Sequence, residues 1–456
     1  MLQFIISIVW GGLLLLTGTY TPLKGLLSPR YEPVFTTDFD CLTTSTIVSL
    51  PADDLGPVWS PDNRSMAFVA HADGNPEIYL AEWQDNSPFP LLRNLSDSPE
   101  DDYNPLWSPN NRYVSWLHRE AQNTWRPIEI RVFDLQTGSL HIAAPGYETR
   151  WILGWSADSQ SLVYRQDNAF YSYDVAAREQ RLFHTVNEER TSVFWHTASS
   201  LSPDGRWLVE SSRNAESRAE ANIVNIETGE SRTISIPDMG YVYFSAWSKD
   251  SQYIALTNTY ETYGAGSLWL LDVPTGETTL LYAYEAPERL TSVDWSANGA
   301  SAWVIEDGAV IPSSTIFITD AQSKDTRSLL SLMDTIEQVS WSPTDSHILA
   351  FHTFAGLYVA EARMGAFSEL VQGIGKLLDF RWSPNGDAIA AQVNNQWSYP
   401  YGIALVDLDS HNLFFYSGAA VGSWSSDGKR LIVDYPPNQP AGEDVLSIDF
   451  CDWNQR

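Results

Sequence analysis

Residues 59–63 read Trp59-Ser60-Pro61-Asp62-Asn63, and variants of that pentapeptide return along the whole chain. They are WSPNN at Trp107, WSADS at Trp155, LSPDG at Leu201, WSKDS at Trp247, WSANG at Trp295, WSPTD at Trp341, WSPNG at Trp382 and WSSDG at Trp424. The intervals are 48, 48, 46, 46, 48, 46, 41 and 42 residues. Ser, Pro, Asp and Asn form tight turns through a preset φ or through side-chain-to-backbone hydrogen bonds. The fifth residue is Asn, Gly, Ser or Asp in every copy, and Asn, Gly and Asp tolerate a positive φ best. Each copy therefore reads as a hairpin turn. The Trp ends the incoming strand, where its ring is expected to wedge between neighbouring sheets.

Outward from each turn the chain is rich in strand formers. A second strand follows the turn, as at Met66–Ala70 and Tyr253–Thr257. A third ends in an acid four residues after an apolar residue, from Ile78/Glu82 through Ile223/Glu227 to Val445/Asp449. These acids read as turn formers. A fourth strand comes next, from Leu91–Leu95 to Leu413–Tyr416, but the ninth repeat has none. Thr46–Leu50, ahead of the first turn, is a strand without a repeat of its own. A period of roughly 40–50 residues with strands on both sides of a turn marks propeller blades. The expected fold is all-β: a single β-propeller of about nine four-stranded blades, closed by the N-terminal strand. Eight blades and one irregular repeat is the alternative. The domain reading is 1–23 as a signal peptide or membrane anchor, 24–44 as a linker, and 45–456 as the propeller. Cys41 and Cys451 flank the two strands that would pair at closure. They are expected to form a disulfide across the seam, two unpaired thiols being the alternative.

Composition narrows the function. Of 456 residues, 57 are acidic and 27 basic, giving a formal net charge of −30. That field repels phosphate backbones and excludes general nucleic-acid binding. It favours cationic partners. Residues 1–23 carry no charged side chain and residues 4–16 are almost wholly apolar, so the chain is expected to be exported, touching a membrane only through this segment.

At Trp59-Ser60-Pro61-Asp62 followed by Glu77-Ile78-Tyr79, the chain resembles the WD40-like repeat of the TolB-family propeller, with its WSPDG consensus. The resemblance covers about Ser45–Asp449 and implies a propeller fold. The chain shows no α/β domain ahead of the propeller, and its nine motifs exceed that family's usual blade number. The family's role in envelope assembly is therefore not carried over.

The sequence offers little chemistry. No Gly-x-Ser-x-Gly elbow, HExxH, CxxC, Walker loop or GxGxxG occurs, so no enzyme and no cofactor is implied. His347 and His352 stand five apart near one strand and face opposite sides. His71 and His118 lie near the ends of second strands in adjacent blades, and the acidic loops Asp53-Asp54 and Glu100-Asp101-Asp102 precede first strands. No run has the oxygen spacing of a cation loop, and no metal is assigned. The long loops join strands two to three and four to one, all on one face, where function on a rigid ring usually sits. That face carries Trp125, Tyr241, Tyr243, Tyr260, Tyr263, Trp397, Tyr399 and Tyr401, with Asp54 and Asp102. Rings beside acids suit a protein or peptide, particularly a cationic one. A glycan, bound or processed on the same face, is the alternative.

Overall fold

Ser60 shows how the pentapeptide works. Its backbone N–H bonds Ser65 O at 2.8 Å, and its hydroxyl donates to Asp62 Oδ1 at 2.7 Å while accepting from Ser65 N at 3.0 Å. The fifth residue lies in the left-handed region in eight copies, with φ between +60° and +83°. Blade 7 is the exception. Its turn is one residue longer, since Ser342 N bonds Ile348 O, and the extra residue removes the need for a positive φ at Asp345.

These turns build nine four-stranded antiparallel sheets in a computed structural model. It describes residues 42–48, 55–71, 74–84, 90–119, 129–145, 150–186, 199–213, 219–236, 244–257, 266–309, 312–354, 356–372, 376–395, 399–408, 413–417, 420–434 and 445–450. Among them there is no helix. Blade 1 is Leu55–Trp59, Ser65–Ala70, Glu77–Glu82 and Leu91–Asn94, paired in that order. Blades 2 to 8 repeat the scheme. Blade 9 has Ala420–Trp424, Arg430–Asp434 and Val445–Phe450, and its fourth strand is Leu42–Val48 from the other end of the chain. The register runs Leu42↔Phe450, Thr44↔Ile448 and Val48↔Val445. The closing strand begins four residues earlier than expected, at Leu42, and the added residues include Thr43 and Thr44, β-branched residues that suit a pleated edge. Residues 1–23, Cys41 and Cys451 lie outside the described residues.

The core sits between blades. Each buried apolar cluster spans two neighbours, and every joint of the ring has one. The motif Trp enters the joint with the preceding blade: Trp155 stacks on Tyr113 at 5.6 Å and Trp295 on Tyr253 at 6.3 Å. The indoles of Trp107 and Trp295 also donate to Val58 O and Ala246 O, each at 3.0 Å. Bulges in the fourth strands of five blades turn Ala143, Phe183, Leu281, Leu329 and Leu370 into these joints. A bulge re-aims one side chain without breaking the sheet.

The fifth turn residue has a second task. Asn111 Oδ1 accepts from Asp62 N at 2.9 Å, Ser159 Oγ from Asn110 N at 3.0 Å, and Ser251 Oγ from Asp204 N at 3.1 Å. Ser426 closes the circle, bonding Asn63 Oδ1 through its backbone and Pro61 O through its hydroxyl, the latter at 3.0 Å. Arginines on fourth strands form outer latches: Arg181, Arg232 and Arg327 donate to Ile226 O, Val273 O and Ala362 O of the next blade. Arg232→Ala is expected to cost about 1.5 kcal/mol in urea unfolding, the size of a hydrogen bond from a charged donor.

The third-strand acids cap turns as expected in several blades. Asp320 Oδ1 accepts from Gln322 N and Ser323 N at 3.0 and 2.8 Å. In blade 4 the cap is Asn225, which accepts from Glu227 N and Thr228 N, and not Glu227. That strand ends two residues sooner, and the amide oxygen serves as well as a carboxylate. Asp134 has its pKa drawn from 3.8 to about 2, chiefly by its hydrogen bond from Arg112. A lowered folded-state pKa stabilises fully above the ordinary carboxylate value, and that contribution is lost as pH falls through about 2. Asp134→Asn should therefore flatten the acid limb of the stability profile, measured as urea midpoints between about pH 5 and pH 2.

Candidate functional site

The first strand of blade 2, Asp101–Trp107, and the second, Tyr113–Arg119, are antiparallel. Asp102 lies opposite His118 and Asp101 opposite Arg119. Successive side chains point to opposite faces, so two sets of partners form. On one face, Trp116 Nε1 donates to Asp102 Oδ1 at 2.7 Å, and His118 Nδ1 contacts the same oxygen at 2.9 Å. His118 Nε2 meets Glu100 Oε2 at 2.9 Å. An imidazole thus bridges a buried and a surface carboxylate: Asp102 is 0% exposed, His118 1%, and the Glu100 side chain 37%. Asp102 Oδ2 is buried with no hydrogen-bond partner.

On the other face Asp101 Oδ2 accepts from Arg119 and from the Tyr103 hydroxyl, at 2.7 and 2.8 Å. Arg119 also lies 4.8 Å from the Tyr103 ring centre. Burial, with the Asp101 hydrogen bond, pushes the Tyr103 pKa up to about 12. Blade 1 fixes the entry to this strand. Asn75 Nδ2 donates to Ser98 O and Glu100 O at 3.0 and 2.8 Å, and Asp102 N bonds Pro76 O at 2.8 Å.

Two further blades bury ionisable groups in their second strands. Glu210, in the second strand of blade 4, is 0% exposed. Its Oε2 accepts from Asn222 Nδ2 at 2.8 Å and lies 3.5 Å from His184 Nε2 of blade 3, while its Oε1 has no partner. His352, near the end of the second strand of blade 7, meets Phe380 edge-on, and burial lowers its pKa. Glu210 lies opposite Ser199, the first residue of its blade's first strand, and His184 near the end of a fourth strand, so these groups lie toward the loop-rich face.

A buried carboxylate oxygen without a donor costs at least about 1–3 kcal/mol. Such oxygens are kept where a water, ion or ligand supplies the missing partner. The two carboxylates around His118 address opposite ring nitrogens and do not converge. Among the described residues no group of His, Cys, Asp and Glu is arranged to hold a metal. A serine–histidine contact occurs elsewhere, Ser139 Oγ to His141 Nε2 at 2.9 Å, but His141 Nδ1 is buried without a carboxylate to orient it. The third member of a nucleophilic triad is missing there.

Of the residues singled out in the sequence, Asp102 lies inside this cluster, fully buried. Asp54, Trp125, Tyr241, Tyr243, Tyr260, Tyr263 and Trp397 lie outside the described residues. Tyr399 and Tyr401 belong to the third strand of blade 8, Tyr399–Asp407, and their side chains lie outside them too. The sequence reading noted His118 and the acidic run separately and missed that they meet. It missed Glu210 and His184 altogether.

Compared by sequence, the chain matches no family model and no curated protein. Solved structures do resemble it. A eukaryotic initiation factor aligns over 84% of this chain and 90% of its own, with 14% identity and a TM-score of 0.60. Porphyromonas gingivalis dipeptidyl peptidase 4 aligns over 81% of this chain, with 12% identity and a TM-score of 0.58. The chain spans only 60% of that peptidase's length. At such identities the likeness is one of fold, and the fold is a β-propeller.

Proposed function

We propose that this is an exported, non-catalytic propeller scaffold, of the WD40-like repeat kind found in the TolB family. Its partner is a cationic protein or peptide segment, received on the loop-rich face. The observation that carries the reading is the acidic entry to blade 2. Glu100 stands half-exposed at the surface and is tied through His118 to the buried Asp102, whose Oδ2 lacks a donor. The net charge of −30 adds a field that steers basic groups toward it.

Fluorescence anisotropy with a Lys/Arg-rich peptide and its Asp/Glu-rich counterpart tests the reading. The full chain should bind the basic peptide, more weakly as salt rises, and Glu100→Gln should loosen it several-fold. Equal affinity for the two peptides would sink the reading. Turnover of a glycan substrate, abolished by a carboxylate substitution on this face, would replace it with the carbohydrate-active alternative.

A further inference from the structure

The opposite face of the ring carries the short turns, and its joints are closed by two devices. One is the side chain at the fifth position, as between blades 1 and 2, 2 and 3, 4 and 5, and 9 and 1. The other is a glycine at that position, overlaid by the preceding turn. A Cβ on Gly205 would lie 2.7 Å from Ser156 Cα, one on Gly386 2.3 Å from Thr344 Oγ1, and one on Gly428 2.4 Å from Asn385 Oδ1. Two joints use neither: that between blades 5 and 6, where a Cβ on Gly299 would meet nothing within 4 Å, and that between blades 6 and 7. The blade 6 turn is one residue short, with Ser296 N bonding Ala300 O, and the blade 7 turn is one residue long. Asp345, at the fifth position of blade 7, turns onto its own His347, accepting from its backbone N at 2.8 Å. Between the two turns lies a cavity of about 310 Å³, at the lower end of the range for small-molecule pockets.

Its walls hold more donors than their own structure uses. Trp341 is 3% exposed, and its indole N–H is buried without an acceptor. In blades 2, 6 and 8 the equivalent N–H donates to a carbonyl of the preceding blade, whereas those of Trp59, Trp155 and Trp247 are buried without an acceptor like that of Trp341. Here Asp294 Oδ2 instead takes the backbone N–H of Trp341 at 2.8 Å and the Ser340 hydroxyl at 3.0 Å. Arg363 donates to His347 Nε2, and His347 Nδ1 lies 3.1 Å from Asp345 Oδ1. Arginine only donates, so His347 accepts at Nε2 and donates from Nδ1. The imidazole thereby holds one side of the guanidinium and leaves its other N–H groups free of that contact. Arg327 latches Ala362 O and has further donors in its fork. Of the acids in the wall, Asp320 is turned onto the backbone of Gln322 and Ser323, and Asp325 is exposed.

We propose that this cavity binds a small molecule carrying an oxyanion, a carboxylate or a phosphate, gripped by the forked guanidinium groups of Arg363 and Arg327. Forked guanidinium groups suit either oxyanion. The wall holds two arginines and two aspartates, Asp320 and Asp325, so the grip comes from the forked donors of the arginines and not from a local excess of positive charge. The site is independent of the loop-rich face.

Calorimetric titration of the full chain at low ionic strength, with citrate and separately with inorganic phosphate, tests the proposal. At least one should bind. Arg363 is exposed, so Arg363→Ala should leave folding intact and weaken binding about tenfold. Arg206→Ala, on a distant turn, should change nothing. Binding of citrate alone identifies a carboxylate ligand; binding of phosphate identifies a phosphoryl group. Failure of both anions to bind, or binding unchanged in Arg363→Ala, would overturn the proposal.

Discussion

Deleting the segment up to Val48 should convert a soluble, cooperatively folded chain into one that aggregates. The strand Leu42–Val48 covers Val445–Phe450 along six residue pairs. Without it, that third strand becomes an open edge, with unpaired N–H and C=O groups able to recruit another chain. The loss is sharper than deleting an outer strand elsewhere, because this strand also ties the two ends of the chain together. Size-exclusion chromatography and the amplitude of the urea transition measure it; a soluble monomer with unchanged cooperativity would refute the closure. The seam makes a second, separable statement. Leu42 pairs with Phe450, so Cys41 and Cys451 are the next residues outward in sequence on an antiparallel pair. A disulfide there spans roughly 400 residues and should contribute on the order of 5 kcal/mol. Non-reducing peptide mapping should recover the two cysteines as one cross-linked species. Cys41→Ser should lower the urea midpoint without causing the aggregation expected of the truncation. Two titratable thiols per folded chain would remove the staple and leave the strand exchange standing.

How far the sequence carries depends on how local the determining physics is. The turn is local: a serine hydroxyl, an acid or amide two residues on, and a fifth residue able to take a positive φ. Eight of nine turns follow the pattern, and the Trp lies where its size and position suggest. Blade 7 departs through one inserted residue, which the motif Trp341-Ser342-Pro343-Thr344-Asp345 hides because its five letters look regular. The site in blade 2 was hidden by a register change. Counting back from the Trp107↔Val114 pair without interruption places Tyr103 opposite His118. The bulge between Tyr103 and Leu106 moves the pairing by one residue and puts Asp102 there instead. A one-residue slip exchanges the two faces of a strand. The acid that meets His118 and Trp116 is therefore decided by Asn104, whose φ of +55° makes the bulge, and not by hydrophobic pattern. Glu210 and His184 belong to different blades, so only the packing of one sheet on the next brings them near each other.

The same cluster makes the second large prediction. His118→Ala should destabilise the protein by about 3–5 kcal/mol, because it strips one of the two donors from a fully buried carboxylate. The cost then lies in the stranded charge and not in the lost ring. Replacing both members, as His118→Ala with Asp102→Leu, should therefore recover part of the stability lost in the single variant, a sign that additive contacts cannot give. Asp102→Asn should be milder. It keeps an oxygen for Trp116 and removes the buried charge, although its amide then needs an acceptor. Urea unfolding of the wild type, His118→Ala, Asp102→Leu and the double variant gives the coupling directly. If His118→Ala costs less than about 1 kcal/mol, water reaches Asp102 and the carboxylate is not isolated. If the double variant is no better than the single, the loss comes from packing around Trp116. Either result would detach the Glu100–His118–Asp102 bridge from any role in holding a cationic partner, since a carboxylate already served by water has no unmet need for a donor.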